Sequence, residues 1–463
     1  MSHLIYKQFL ISILFFLFLI FFDIYTDNLP YVKNDIVNMD YKENLLFKAN
    51  YFKYLDFSFL IIISYTIFKF IEKIKISKKI INNLKFIWLI KLLFIILIIP
   101  LYEINFSTDS DQYFRAAVFT DFYSEKYRFN AYHFPNEFSN TFLIIIIKII
   151  NFFTFNSWFA LKLFLGIIYL KILVDFCQIH FFYTKKYPTF SIFIVAFTPS
   201  FLLYSQLILK DIFIIFLLSH IFKEIIISNL SIKKLTFSKI LILVLAFITI
   251  FFLRYWVFWV LIIAIVLSYI ISTNFFKILL NFISKNLIKS MFVICAGYFI
   301  FLIFYDQIFR EILTNIFRQQ ILKSGNSAEN LSTEALNGIN NFGELIFRYP
   351  YLIFKSYFNP FLNEILNWKY TLFVFENLLI LLLLLTSYQT LIYNYKKNCL
   401  LINYIIILGF LYSINNFLNP GSALRYALQY KIFLIMSFFY FNPKIEIFLI
   451  KLHNTINKIT KNN

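Results

Sequence analysis

Residues 239–272 read KILILVLAFITIFFLRYWVFWVLIIAIVLSYIIS, two apolar runs separated by a single charged residue, Arg254. An apolar run of roughly 18 residues can cross the hydrocarbon core of a bilayer as an α-helix. Comparable runs recur along the whole chain, and no stretch between them is long enough to bury a core of its own. Because 60% of the 463 residues are hydrophobic and only 14% are charged, a set of soluble domains is excluded. The sequence therefore predicts an all-α fold, a polytopic transmembrane helix bundle.

The predicted bundle forms a single integral membrane domain, residues 1–463, with about 12 or 13 helices. The predicted spans are 8–23, 56–72, 86–103, 141–155, 158–182, 188–205, 207–223, 239–253, 255–272, 290–305, 369–393, 400–417 and 426–442. The first run lacks a small-residue cleavage site and is followed by Asp23, so we favour a retained span over a signal peptide. Segment 141–155 is short and contains Lys148, whose charge is costly at mid-membrane. If this segment lies in the interface or is re-entrant, the chain makes about 12 crossings.

The lysines set the orientation, because cytoplasmic loops of membrane proteins carry an excess of Lys and Arg. The loop between the second and third spans is strongly basic and includes Lys73, Lys78 and Lys79, so it is predicted to be cytoplasmic. The loop 105–140 is net acidic, and 306–367 is a large polar loop; both are predicted to lie outside, with helical segments. Both termini are then cytoplasmic.

Several classes of function are disfavoured. The net charge of +19 invites a nucleic-acid partner, but lysines flanking membrane spans explain it, so no nucleic acid is expected. The cysteines, Cys177, Cys295 and Cys399, have no CxxC spacing, and neither disulfides nor zinc are indicated. GxxxxGK[ST], GxGxxG and HExxH motifs are absent from the sequence, which leaves an ATP-driven pump, a nucleotide-sugar enzyme and a zinc protease unsupported.

The arginines are distributed differently from the lysines. In the predicted topology all seven lie in outer loops or at outer helix ends: Arg115, Arg128, Arg254, Arg310, Arg318, Arg348 and Arg425. A guanidinium group grips phosphate or carboxylate through two parallel hydrogen bonds, which an ammonium cannot do. This pattern favours an outward-facing site for a phosphorylated or acidic ligand. The alternative is that these arginines pair with loop carboxylates.

Segment 107–115 carries Asp109 and Asp111 directly after a span, with Tyr113 and Arg115 close behind. One carboxylate could act as a general base towards a sugar hydroxyl, or the pair could hold a divalent cation such as Mg²⁺ or Mn²⁺ against a diphosphate. An N-cap of a short interfacial helix is the alternative, and it is compatible with either role.

Three further features belong to the predicted outer face. Lys210 and Asp211 stand just inside a span, where ionisable groups mark a functional site or pair with one another. Arg254 has aromatic neighbours that suit a sugar face, although it could also snorkel from a helix end. Arg425 and Tyr426 follow a helix-breaking Asn-Pro-Gly run, so backbone N–H groups and a guanidinium could form a phosphate seat. An ordinary turn with an anchoring arginine is the alternative there.

The order of these segments resembles bacterial polytopic proteins of surface-polysaccharide assembly, namely C-type (GT-C) glycosyltransferases and O-antigen polymerase-like proteins. The resemblance covers about residues 105–442. It rests on Asp109…Tyr113, Pro199…Tyr204-Ser205…Lys210-Asp211, Leu253-Arg254, Asn359-Pro360-Phe361 with Glu376, and Gly421…Arg425-Tyr426.

The resemblance implies that an acidic residue of the first outer loop, Asp109 or Asp111, is the catalytic base. It also implies polyprenyl-phosphate or polyprenyl-diphosphate sugars as donors, at the outer face of the bacterial inner membrane. More than one predicted span precedes the acidic loop where that family usually has one, so the base assignment and the choice between transferase and polymerase stay open. The predicted substrate-binding residues are Tyr113, Arg115, Lys210, Asp211, Arg254, Arg348, Glu376, Arg425 and Tyr426.

A transporter or flippase of lipid-linked saccharides is the competing function, and a structural membrane subunit is the third. Transporters often show internal repeats and helices broken by Gly or Pro at the midplane. This chain has only seven glycines and no visible repeat, and its polar residues gather towards one face. These features favour the enzyme.

Overall fold

The computed structural model describes residues 61–98 without 75, then 110, 113, 114, 117, 136–154, 158–228, 236–272, 350–358 without 352 and 355, 368–415 and 420–462. Throughout this part of the chain the regular structure is helical and no strand occurs, which confirms the all-α prediction. The named helices are α1 (Lys78–Leu93), α2 (Asn136–Thr154), α3 (Trp158–Thr184), α4 (Ser191–Ala196), α5 (Pro199–Tyr204), α6 (Lys210–Ile227), α7 (Phe237–Leu253), α8 (Tyr255–Ser272), α9 (Trp368–Tyr393), α10 (Tyr395–Asn415), α11 (Pro420–Phe441) and α12 (Pro443–Asn462).

Prolines and one arginine mark several helix boundaries. Helices α5, α11 and α12 all begin on proline, whose fixed φ suits the first helical position and whose missing N–H would have no intrahelical partner there. Helices α7 and α8 are separated by Arg254 alone. The predicted spans 239–253 and 255–272 therefore agree with the structure to within two residues.

One predicted span is wrong as a continuous helix. Segment 188–205 is divided into α4 and α5, each of six residues. The break precedes Pro199, because the residue before a proline is disfavoured in the helical region. The signal for this break, Thr198-Pro199-Ser200, is present in the sequence, but the apolar residues on both sides of it led to the prediction of one span.

By length and apolar composition, one helix among the described residues could cross a bilayer, Thr371–Tyr393. A second qualifies if Leu424–Phe441 and Pro443–Lys451, which are bent by 81°, are counted as one span. The shorter apolar helices are Ser139–Phe153, Phe237–Leu253, Tyr255–Ile271 and Cys399–Ser413. The predicted outer loops 105–140 and 306–367 lie mostly outside the described residues.

The chain clusters into two compact units. The first contains residues 1–170 and 205–209. Within it, two buried lysines hold the non-helical turn at 205–209: the Nζ of Lys91 donates to Ser205 Oγ at 2.5 Å, and the Nζ of Lys162 donates to the Gln206 carbonyl at 2.8 Å. Ser110 accepts the Ile208 N–H at 2.8 Å.

The second unit contains residues 171–204 and 210–463. Helix α11 packs against α4, α5, α6, α9, α10 and α12, and is its central element, while α8 packs along α10. The central helix carries polar side chains among its apolar ones: Gln429 and Lys431 are fully buried. The core of this unit is therefore where charged and polar groups meet.

Candidate functional site

Five side chains of the second unit form a polar group, which we call the arginine–aspartate cluster. Four of them are buried, namely Asp211, Arg254, Tyr412 and Gln429, and the fifth, Arg425, is partly exposed. The Asp211 carboxylate is completely buried, and both guanidinium groups reach it. Arg254 Nη1 lies 3.1 Å from Oδ1, and Arg425 Nε lies 3.0 Å from Oδ2. Each carboxylate oxygen thus faces one arginine.

Asp211 is the second residue of α6. A carboxylate in the first turn of a helix is stabilised by the unpaired backbone N–H groups and the helix dipole. The segment leading into α6 is the non-helical turn 205–209. The start of α6 is therefore a favourable position for an acidic side chain before any arginine is considered.

Arg254 owes its position to the one-residue junction between α7 and α8. Its N–H donates to the Ile250 carbonyl at 2.7 Å and so ends α7, while its own carbonyl accepts the Val257 N–H at 3.1 Å in the first turn of α8. With its backbone used in both helices, Arg254 is held at the turn. Its side chain is only 4% exposed and points into the cluster instead of snorkelling outwards.

Arg425 and Gln429 are four residues apart on α11, so their side chains lie on the same helix face. The Nε2 of Gln429 donates to Asp211 Oδ1, next to the ion pair with Arg425. Arg425 is the sixth residue of α11, one and a half turns after Pro420. It therefore does not begin the helix, as the phosphate-seat prediction assumed, and it pairs with a carboxylate.

Tyr412, from α10, closes a ring of polar contacts. Its hydroxyl accepts from Arg254 Nη1 at 3.2 Å and donates to Gln429 Oε1 at 2.9 Å. Gln429 in turn donates to Asp211, which is paired with Arg254. The ring links α6, the α7–α8 junction, α10 and α11, so the charged groups are held in a defined arrangement.

Aromatic side chains flank the cluster. The Arg254 guanidinium carbon lies 4.1 Å from the centre of the Tyr426 ring and 5.9 Å from that of Trp256. Tyr426 stacks on Tyr412 with ring centroids 5.5 Å apart, and Trp256 Nε1 donates to the Tyr412 hydroxyl at 3.2 Å. A cation over an aromatic face is attracted by the ring quadrupole, so these rings help to hold Arg254 in place.

The two guanidinium groups of the cluster share one carboxylate. Arginine forks match the oxygen geometry of phosphate. The arrangement is therefore suited to hold a phosphate beside an aromatic surface.

Glu376 lies in a second buried network. Its carboxylate accepts the Ser200 N–H at 2.8 Å and the Ser200 hydroxyl at 2.7 Å, which caps the start of α5. Lys431, buried on α11, donates to Asn377 Oδ1 at 2.8 Å, and Asn377 follows Glu376 on α9. The predicted substrate-binding residue Glu376 is thus engaged in holding α5 against α9.

The remaining predicted site residues are distributed as follows. Tyr113 belongs to the first unit, where its hydroxyl donates to Asn140 Oδ1 at 2.9 Å. Lys210 is the buried first residue of α6. Pairing of Lys210 with Asp211 was one of the two predicted alternatives. In the structure the Asp211 carboxylate pairs with Arg254 and Arg425 instead.

The predicted residues outside the described part of the chain are Asp109, Asp111, Arg115 and Arg348. The predicted catalytic base and the predicted Mg²⁺ or Mn²⁺ site depend on the first two and stay predictions. Among the residues that the structure does describe, no group of three or more His, Cys, Asp or Glu side chains could hold a metal ion.

Sequence reasoning brought together Asp211, Arg254, Arg425 and Tyr426 as members of one site, and the structure places them in contact. It missed Tyr412 and Gln429. The spacing of Arg425 and Gln429 on one helix face was a usable signal for the glutamine. No sequence signal distinguished Tyr412, because tyrosine is common along the whole chain.

No protein-family model, no curated protein and no solved structure matches this chain.

Proposed function

We propose that the chain is a polytopic membrane protein, and the distribution of its side chains supports this. Large apolar side chains on α7, α8 and α9 are exposed, for example Leu245 at 55%, Trp259 at 53% and Leu385 at 65%. Charged and amide groups are buried instead. A water-soluble protein rarely exposes such apolar faces, whereas helices in lipid expose apolar residues and bury polar ones between them.

We further propose that the protein is a glycosyltransferase or polysaccharide polymerase of the cell envelope. Its donor would be a sugar linked to a polyprenyl phosphate or diphosphate, at the outer face of a bacterial inner membrane. The observation that carries the proposal is the arginine–aspartate cluster, because the buried Arg254 and the partly exposed Arg425 beside aromatic rings suit a sugar phosphate. The resemblance of the segment order to C-type glycosyltransferases and O-antigen polymerase-like proteins points to the same chemistry.

In the proposed reaction a hydroxyl of the acceptor sugar attacks the anomeric carbon of the donor. A new C–O bond forms while the bond from that carbon to the phosphate oxygen breaks. Asp109 or Asp111 takes the hydroxyl proton, and the lipid phosphate leaves with the bonding electrons. Arg254 and Arg425 stabilise the charge that develops on the phosphate, which is the largest contribution in reactions of this kind.

Deleting the gene and analysing both surface polysaccharide and lipid-linked intermediates tests the proposal. We expect loss of a polysaccharide and accumulation of its lipid-linked donor in the outer leaflet. Donor that accumulates only in the inner leaflet would instead indicate the competing function, a flippase of lipid-linked saccharides.

Complementation then tests the base. Loss of a general base typically reduces rate by about 10²–10⁴-fold, so Asp109→Asn or Asp111→Asn should fail to restore polysaccharide. If each single variant and the double variant restored the wild-type level, neither carboxylate would be the base.

A further inference from the structure

The C-terminal helix α12 was not predicted from the sequence, where residues 443–463 were taken only as a basic tail. It turns by 81° from α11 at the Asn442–Pro443 junction. Proline cannot donate the next helical hydrogen bond, and its ring clashes with the carbonyl four residues earlier, so a sharp turn is favoured there. A helix at nearly a right angle to a membrane-crossing α11 lies close to the membrane plane.

One side of α12 is fixed to the body of the second unit by Glu446. Its Oε1 accepts the N–H groups of Thr189 and Phe190 at 2.7 and 2.8 Å, and its Oε2 accepts the N–H of Ser191 at 3.0 Å. The Thr189 hydroxyl donates to the same carboxylate at 2.5 Å. The orientation of the helix about its own axis is therefore set.

The side turned away from Glu446 combines an aromatic ring with lysines. Lys444, Phe448 and Lys451 are exposed and lie at i, i+4 and i+7, on one helix face. Phe448 is 63% exposed, and the neighbouring Ile447 is 48% exposed. The sequence continues the lysine spacing with Lys458 and adds an apolar stripe at Ile445, Leu449, Leu452, Ile456 and Ile459. A partner for this face must offer apolar contact to Phe448 and negative charge to the two lysines.

We propose that α12 binds the surface of the bilayer as an interfacial helix and selects anionic lipid. Helices with a basic face and an apolar face containing Phe or Leu lie at the boundary between head groups and acyl chains. Phe448 enters that boundary, while Lys444 and Lys451 reach the lipid phosphates on either side of it. The inference rests on the membrane placement in the proposed function, and it requires no transfer reaction.

The test is hydrogen exchange of residues 443–462 in the full-length protein, reconstituted in lipid nanodiscs. Discs of phosphatidylcholine are compared with discs that also contain phosphatidylglycerol. Each lysine near an anionic surface adds to the attraction, and three lysines act together here, so exchange should slow by at least about tenfold when phosphatidylglycerol is present. The variant Lys444→Gln/Lys451→Gln/Lys458→Gln should lose this difference, and Phe448→Ser should reduce it.

A matched control removes three other exposed lysines, Lys73→Gln/Lys78→Gln/Lys79→Gln, and should keep the full effect of phosphatidylglycerol. Equal exchange of α12 in both kinds of disc would overturn the proposal, as would equal loss in the control variant. Failure of the protein to enter the discs would contradict the membrane placement itself, so the two failures are distinguishable.

Discussion

At the scale of single residues, the Asp211 carboxylate organises the site. It forms an ion pair with Arg254 through one oxygen and with Arg425 through the other, and Gln429 donates a hydrogen bond to it. A buried ion pair gains little net free energy over apolar packing, but removing one partner leaves a charge with nothing to compensate it. A substitution in this cluster can therefore change the stability of the protein as well as its activity, and the two effects have to be measured separately.

The first prediction concerns Arg425. A lysine supplies a point charge and cannot form the paired hydrogen bonds of a guanidinium. Arg425→Lys should therefore reduce surface polysaccharide nearly as much as Arg425→Ala in a complemented deletion strain, with normal protein level in the membrane. The same exchange outside the predicted site, Arg128→Lys, is the control. Full activity of Arg425→Lys would mean that the residue only anchors its helix.

The second prediction concerns Asp211. In Asp211→Asn two guanidinium groups face an amide, and loss of one partner of a buried pair costs about 3–5 kcal/mol. We expect a clear fall in the melting temperature of the purified protein in detergent. Adding Arg254→Gln removes one of the two positive charges that then face the amide, and it should recover part of that loss. If the double variant lost more stability than the two single variants together, this electrostatic account would be excluded.

At the scale of helices, the packing of Tyr357 against α10 depends on one glycine of that helix. A Cβ at Gly409 would lie 2.0 Å from the hydroxyl of Tyr357, which donates to the Ile405 carbonyl at 2.8 Å. Helices in membranes pack closely where a small residue allows it. Gly409 is therefore required by the ring of Tyr357 and not by its own backbone conformation.

The third prediction follows from this contact. Gly409→Ala forces Tyr357 to move, and overpacking of this kind costs about 1–3 kcal/mol. The melting temperature should fall. In a Tyr357→Ala background the same Gly409→Ala change should cost little, because the obstructing ring is gone. An equal loss in both backgrounds would show that the glycine serves another purpose.

The fourth prediction concerns the docking of α12. Burial alone would raise the pKa of Glu446, but the hydrogen bonds from Thr189, Phe190 and Ser191 outweigh it and hold the pKa below its usual value. A carboxylate with a lowered folded-state pKa stabilises the fold above its unfolded pKa, and this contribution disappears as the pH falls through the folded value.

Protection of α12 against hydrogen exchange, corrected for the intrinsic effect of pH, should thus be constant near neutral pH. It should fall below about pH 4.5. Glu446→Gln should show weak protection at every pH and no such transition. A wild-type profile without the transition would exclude Glu446 as the residue that fastens the helix.

At the scale of the whole molecule, the exposed apolar faces and the buried charges support the proposed membrane placement, and the lysines predict one orientation in the membrane. The fifth prediction is that position 325 is outside and position 79 is inside. In a variant without Cys177, Cys295 and Cys399, a membrane-impermeant thiol reagent should label a cysteine at 325 and not one at 79 in intact cells. The opposite pattern would invert the topology and remove the arginine–aspartate cluster from the outer face.

The helical class and many helix boundaries follow from the sequence alone. In lipid, an apolar run of this length pairs its own backbone N–H and C=O groups by forming a helix. Arg254 and Pro420 interrupt such runs in the sequence, and the structure has helix boundaries at both positions. The division of 188–205 into two helices was not predicted, although Pro199 is a signal for a break in the sequence.

Which polar residues meet was decided by the tertiary structure. Helical periodicity places Arg425 and Gln429 on one face of α11, but it does not say which element that face meets. Their partner, Asp211, lies 218 residues before Gln429. Arg254 and Tyr412 come from two further elements. Only the packing of α6, the α7–α8 junction and α10 around α11 brings these groups together, because a buried charge is stable only where other elements supply its counter-charge and hydrogen bonds.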